Sequence, residues 1–456
     1  MSNLLLTGGV VIDPASKLQA PRDVLIVDRT IEAIAPAGSF ELPPQLEVIR
    51  ADGCWVVPGL IDVHVHLRDP GFPLKETIES GLRAAAAGGF VAVAAMANTE
   101  PVNDNPAITR YMLERAARVD ASTLYPVGAV SLGLRGRENC DYRALAEAGV
   151  RLFSDDGMPV DDQALLLRAL GEVSSLGLTI SLHEEERELS RAGAINQGAV
   201  ARALGVGGIP AAAESERVRR DLAIALGAGC AVHLAHVSSA ASIDLIRAAR
   251  ARGAKVTCEV TPHHFSLSDQ AVLQWGPDAK MNPPLRDSVE VEAIRAAIAD
   301  GTIDMIATDH APHDRASKGG QALAGCFHGA PARLDSEQAA VFSAAANGVI
   351  GLETALGLAL ELVGDGVISP MRLVEMMALN PARLLRLDDA GALYEGGPAD
   401  LSVIDPGLRW QVRADEFRSL SRNTPFQGRQ LRGRARLTIV AGKIVYQAAL
   451  PQGLDQ

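Results

Sequence analysis

The chain has 456 residues, 48% hydrophobic and 21% charged, the balance of a globular rather than a disordered protein, and its length suits a barrel of about 250 to 330 residues joined to a smaller unit. A formal net charge of −12 argues against an extended nucleic-acid or anionic-membrane surface, since each needs a dominant positive field. No run reaches the roughly 18 apolar residues of a membrane span, and the start MSNLLLTGGVVID has no basic region or cleavage site, so a cytoplasmic location is expected.

Residues 1–54 read as short strands separated by turns, with NLLLTGGVVID, RDVLIVDRTIEAIA and LEVIRADGCWVV as the strand-bearing segments. Period-two alternation punctuated by Gly, Asp and Pro indicates antiparallel sheet. Matching segments, PADLSVIDP and ARLTIVAGKIVYQ, lie in 386–456, so the two ends are predicted to meet in a small β-sandwich. A (β/α)8 TIM barrel over 55–385 is inserted into it, which makes the fold class α/β. Its predicted strands are Ile61–Leu67, Phe90–Ala97, Leu124–Val130, Val150–Ser154, Leu178–His183, Cys230–His236, Lys255–Thr261 and Asp304–Thr308. Ala- and Leu-rich amphipathic segments such as TIESGLRAAAAG alternate with them. Residues 314–346 form a long connection of weak periodicity, of the kind that serves as a lid. The five cysteines, Cys54, Cys140, Cys230, Cys258 and Cys326, include no C-x-x-C pair and read as small buried hydrophobes.

The run WVVPGLIDVHVHLRDP, Trp55–Pro70, carries the first chemistry. Positions i and i+2 of a strand share a face, so His64 and His66 project together and make half a metal site. Alone, such a pair reads as two satisfied histidines. Here His183, His236 and Asp309 also terminate apolar strand-like runs, and a barrel gathers its strand ends on one face. Two cations about 3.5 to 4 Å apart need an anion between them, either a carboxylate or a carbamylated lysine. The lysines, at 17, 75, 255, 280, 318 and 443, leave none at the end of the fourth strand, whereas FSDDG offers Asp155 and Asp156 there. Asp156 is the predicted bridge, with Asp155 as support or turn residue. The expected sets are His64, His66, Asp156 and Asp309 for one ion and Asp156, His183 and His236 for the other. Nitrogen and carboxylate donors without thiolate suit two zinc ions best, with manganese or cobalt as alternatives. A metal-activated hydroxide with Asp309 as base and then acid points to hydrolysis, or its reverse, at an amide-like carbon. His313 is expected to touch substrate; His310, His263 and His264 are assigned no role.

The segments HVHLRDPG, NTEP, FSDDG, MNPPLR, TDHAPH, GLETALGL and SRNTPFQGRQLRGR together resemble those of the dihydroorotases, in the aspartate-bridged branch of the amidohydrolase superfamily. The resemblance implies reversible cyclisation of N-carbamoyl-L-aspartate to L-dihydroorotate in pyrimidine biosynthesis. It implies that Arg68, Asn98 and Asn282 hold the substrate carboxylate, that His66 also meets substrate, and that His313 contacts the ring or carboxylate. Strand alternation agrees for Arg68, whose fork would share the face of His66. Two departures stand out: the 314–346 connection is longer than the family's, leaving Asn347 and Gly348 where an aromatic-Gly pair is expected, and Ala97 replaces a proline. The rival readings are an allantoinase or hydantoinase, which typically carry a lysine bridge and lack this arginine, and a non-catalytic partner of aspartate transcarbamoylase, which would have lost metal ligands. The expected partner is a small-molecule substrate, without nucleic acid or membrane; a homo-oligomer, or an active enzyme bound to aspartate transcarbamoylase, is compatible with the sequence.

Overall fold

The computed structural model describes residues 3–40, 46–327, 329–330 and 333–448. The two ends of the chain meet, as their alternation predicts. Strands Asn3–Asp13, Leu18–Val27, Thr30–Pro36, Glu47–Arg50 and Trp55–Pro58 join Leu401–Gln411, Gln430–Val440 and Lys443–Gln447 in one eight-stranded sheet. The seam is antiparallel, with Leu401 opposite Pro58 and Ile404 opposite Trp55. Leu4, Leu6, Val24 and Ile26 from one end share an apolar core with Leu401, Val403, Leu437 and Ile439 from the other.

The run that begins at Trp55 is two strands, one in the terminal sheet and one in the central parallel series. Pro58 has no N–H to continue a ladder, so Trp55–Pro58 ends in the terminal sheet and a new strand, β1, starts at Leu60. Gly59 sits at the break, where a Cβ would lie 2.3 Å from the Val91 methyls.

β1 spans Leu60–Val65, β2 Phe90–Ala95, β3 Thr123–Pro126, β4 Leu152–Phe153, β5 Thr179–Leu182, β6 Val232–Leu234, β7 Val256–Val260 and β8 Met305–Ile306. All eight overlap the predicted segments, although Leu60–Val65 and Thr123–Pro126 begin one residue earlier and all stop short of the predicted ends. They pair in parallel as β1-β2-β3 and β4-β5-β6-β7-β8. Parallel bridges Gly128 to Phe153 and Val65 to His310 link the residues after β3 with β4 and those after β8 with β1. Asp62 reinforces the second link from within β1, accepting from Thr308 N at 3.1 Å and His64 N at 3.1 Å; burial pushes its pKa up to about 7 despite those bonds.

A helix follows each strand, including Ile78–Gly88, Gln163–Ser175, Ala240–Ala251 and Ser288–Ala299. Side chains of Thr77, Asp162, Ser239 and Asp287 cap these four by accepting from first-turn N–H groups, which satisfies donors the helix leaves unpaired. β1 and β2 are buried along their entire length, as expected of parallel strands covered on both faces.

The long connection is more ordered than its weak periodicity suggests. It contains a turn at Gly320–Leu323 and the helix Ser336–Ala344; residues 328, 331 and 332 of it lie outside the described residues. Two buried lysines fasten it: Lys280 Nζ donates to Ser343 O at 3.1 Å and to Ala345 O, and Lys318 Nζ donates to Ala346 O at 2.8 Å and Pro277 O at 2.9 Å. The cysteines are free, four buried and Cys326 half-buried. Among the described residues no helix is long and apolar enough to cross a membrane.

Candidate metal centre

The carboxyl ends of the strands bring all the expected ligands together. His64 and His66 close β1, Asp156 follows β4, His183 follows β5, His236 follows β6 and Asp309 follows β8. Ligand atoms of His64, His66 and Asp156 lie within 4.8 Å of one another, as do those of Asp156, His183 and His236. Asp156 is common to both groups. Its Oδ1 stands 3.4 Å from His64 Nε2, 3.5 Å from His183 Nδ1 and 3.6 Å from His236 Nε2, and its Oδ2 stands 3.5 Å from His66 Nε2. Asp309 Oδ1 is 3.0 Å from His66 Nε2 and 3.6 Å from His64 Nε2.

Hydrogen bonds at the far side of the rings decide which nitrogen faces inward. His64 Nδ1–H donates to Glu259 Oε1 at 2.7 Å, His66 Nδ1–H to Asn98 Oδ1 at 2.9 Å and His183 Nε2–H to Glu185 Oε2 at 3.3 Å. Each leaves the other nitrogen with its lone pair toward Asp156, the arrangement that metal-binding histidines adopt. Two atoms at the centre, His64 Nε2 and Asp156 Oδ1, are buried with no hydrogen-bond partner among the described residues. Orphaned polar atoms facing each other in a dry site are costly, and a divalent cation between them removes the cost. The residues therefore fit a metal.

Asp155 turns away from this centre, accepting from Val130 N at 2.7 Å and Ser131 N at 3.1 Å. It holds the loop after β3. His310 and His264 are structural: His310 Nδ1 accepts from Gly351 N at 3.1 Å, and His264 bonds Thr261 Oγ1 at 2.7 Å and Pro283 O at 3.0 Å. His263 is buried with Nε2 unpartnered among the described residues.

A cavity of about 240 Å³ opens on the centre, lined by Arg68, Asn98, Asn282 and His313 together with all the ligands but His64. Arg68 reaches it by another route than alternation suggests. The strand has ended, and Arg68 takes φ 60°, so a turn and not strand periodicity aims its guanidinium. His236 and Asp309 also have positive φ, 34° and 46°, a conformation that side-chain-bearing residues hold only where the surroundings enforce it. Asn282 Nδ2 donates to Glu185 Oε2 at 3.1 Å.

The electrostatics are those of a charged, water-poor cleft. Burial would raise the Asp156 and Asp309 carboxyls, but without a cation between them the surrounding imidazoles take up a second proton on the inward nitrogen, and these imidazolium rings hold both carboxyls below the usual range. Burial brings Arg68 down to about 10, so it is cationic at neutral pH. Burial and the nearby Arg68, Lys318 and Lys75 drive His313 to about 2; the neutral ring donates Nε2–H to Asn347 O at 2.8 Å and leaves Nδ1 free to accept.

Sequence reasoning missed Glu259, Glu185 and Asn423. Asn423 Nδ2 donates to Ala311 O and Gly348 O, both at 3.0 Å, and its Oδ1 accepts from His313 N at 3.0 Å. The SRNTPF motif contained it, but no local pattern announced a clamp on a loop over a hundred residues away.

Comparison with known proteins agrees with this chemistry. The family described as Dihydro-orotase-like matches residues 53–242. The protein named Dihydroorotase from Desulforapulum autotrophicum is 44% identical over 440 residues, covering 96% of this chain and 98% of that one. The chain belongs to the dihydroorotase family. A second dihydroorotase, from Syntrophotalea carbinolica, is 46% identical over 97% of this chain and 99% of its own. Among solved structures, the L-hydantoinase (dihydropyrimidinase) of Arthrobacter aurescens superposes on this dihydroorotase-family chain with TM-score 0.84 at 25% identity, covering 98% of this chain and 96% of that one.

Proposed function

We propose that the chain is a dihydroorotase, interconverting N-carbamoyl-L-aspartate and L-dihydroorotate in pyrimidine biosynthesis. The observation that carries this reading is the Asp156 carboxylate at the meeting point of four imidazoles, with Asp309 and the half-buried Arg68 opening on the same cavity. The identity of 44% over nearly the full length with a named dihydroorotase supports it.

The scaffold we propose is a closed (β/α)8 barrel over 55–385 inserted into a β-sandwich of 1–54 and 386–456. The parallel bridges at both ends of the strand series and the shared terminal core support that division. Two divalent cations, zinc by donor chemistry, would be held by His64, His66, Asp156 and Asp309 and by Asp156, His183 and His236. Such ions supply Lewis acidity that polarises an amide carbonyl and makes water nucleophilic near neutral pH.

The chain's own groups do the rest. Arg68, Asn98 and Asn282 bind the substrate carboxylate, the guanidinium by a charge-assisted fork. His313, neutral and held by Asn347 O, offers Nδ1 to a ring or ureido N–H, and His66 borders the substrate. Asp309, ionised in its histidine surroundings, takes a proton from the attacking water as the ring opens and returns it to the departing nitrogen. In the reverse direction the same carboxylate deprotonates the ureido nitrogen.

The deciding experiment is turnover of L-dihydroorotate by metal-quantified protein. Turnover of hydantoin or allantoin with none of dihydroorotate would overturn the assignment. Cyclisation consumes a proton as a dianion becomes a monoanion, so the equilibrium ratio is expected to shift toward the ring in acid; an equilibrium indifferent to pH would exclude this substrate pair. Sedimentation of the protein alone and with aspartate transcarbamoylase tests both modes of assembly.

A further inference from the structure

A second cavity, of about 370 Å³, lies beside the catalytic one, and His313 lines both. The long connection contributes Arg315, Lys318 and Phe327 to its lining, the 418–424 segment contributes Arg422, and Trp275 and Asp278 complete the polar and aromatic wall. Two guanidiniums, and the Lys318 amine that burial lowers to about 7, thus face one carboxylate, in a molecule whose net charge is −12. Arg422 donates to its neighbours' carbonyls, Ser421 O at 2.8 Å and Ser419 O, and among the described residues no acidic side chain pairs with it or with Arg315. Lys318 is committed to backbone carbonyls and closes the wall, but both guanidiniums are exposed to the approaching solvent.

The overall field of an acidic protein repels a carboxylate, so a substrate anion needs a local positive region to reach the metal centre. Concave, cation-lined surfaces concentrate such anions. The long connection supplies Arg315 and the Lys318 amine. We propose that this second cavity is an antechamber that gathers carboxylate-bearing substrate and product on their way to and from the catalytic cavity. The inference rests on the dihydroorotase reading, in which both members of the substrate pair are carboxylates.

The test uses the full-length protein carrying Arg315→Gln and Arg422→Gln. In the unaltered protein kcat/KM for dihydroorotate should fall as salt rises, because screening shortens the reach of exposed charges. In the double variant kcat/KM should be about fivefold lower at low salt and nearly independent of salt, converging with the unaltered protein at high salt. A variant with unchanged kcat/KM and the same salt slope overturns the proposal. A second measurement reads the cavity without substrate. With Trp55→Phe and Trp410→Phe leaving Trp275 as the sole tryptophan, the two arginine substitutions should cut iodide quenching about twofold and leave quenching by neutral acrylamide unchanged. Equal changes with both quenchers, or none with iodide, overturn it. Failure of the unaltered protein to turn over dihydroorotate would count against the functional reading alone.

Discussion

Glu259 serves two imidazoles at once, accepting from His64 Nδ1 at 2.7 Å and from His233 Nε2 at 3.0 Å, and it is fully buried in β7. Burial would raise its pKa, but the two rings hold it near 2, so it is an anion that fixes the tautomer and aim of His64. Glu259→Gln keeps an acceptor and removes the charge. Metal affinity, measured by competition with a chromophoric chelator, is expected to fall about 10- to 100-fold. Asp309 makes a different prediction, because the task we propose for it is proton transfer. Asp309→Asn should lower kcat by about a thousandfold or more while KM moves by only a few fold; comparable turnover in that variant would remove Asp309 from the mechanism. Chelation should abolish activity in the unaltered protein, and added zinc should restore it with far-UV circular dichroism unchanged throughout.

At the level of elements, the eight central strands were legible because buried parallel strands leave near-continuous apolar runs, and several of the runs here stop at a residue whose chemistry is conspicuous. His183 after LTISL and Asp309 after DMIAT needed only the knowledge that strand ends converge. The division between LEVIRADGCWVV and the strand from Ile61 was legible, but the sharpness of the break at Pro58 and Gly59, with no loop between the two strands, was not. Glu259 was hidden too: a lone acidic residue inside a strand shows its purpose only when the strand's neighbours are known. Arg68 lay on the right segment for the wrong cause, since its direction depends on a left-handed backbone that no alternation pattern encodes. The junction yields its own test. Gly59→Ala drives a methyl to within 2.3 Å of Val91, an overpacking expected to cost roughly 1–3 kcal/mol in urea denaturation, whereas Ala at exposed Gly364, with no atom within 4 Å of the added carbon, should cost nothing.

Across the whole molecule, the surroundings of the proposed metal centre are tied to the C-terminal part of the chain through buried polar contacts. Glu353 accepts from Arg418 N at 2.7 Å and Ser419 N at 3.2 Å, and Glu76 receives Ser419 Oγ and Leu420 N. Burial, opposed by those two backbone bonds, raises Glu353 from 4.5 to about 7. The folded protein therefore retains a proton there that the unfolded chain releases. Its contribution to stability is complete below about pH 4.5 and is lost as pH rises toward 7. Glu353→Gln keeps the acceptor without the ionisation, so the variant should gain on the unaltered protein across that interval, by roughly 1–3 kcal/mol at pH 8; parallel stability curves would refute the linkage. The Asn423 clamp has a consequence for synthesis. Ala311 O, Gly348 O and His313 N find this side chain only after residue 423 has been translated, so a nascent polypeptide just short of that residue carries every candidate ligand but an unfinished wall. Competence for turnover thus waits on residue 423, and a protein carrying Asn423→Ala should load metal yet handle its substrate poorly.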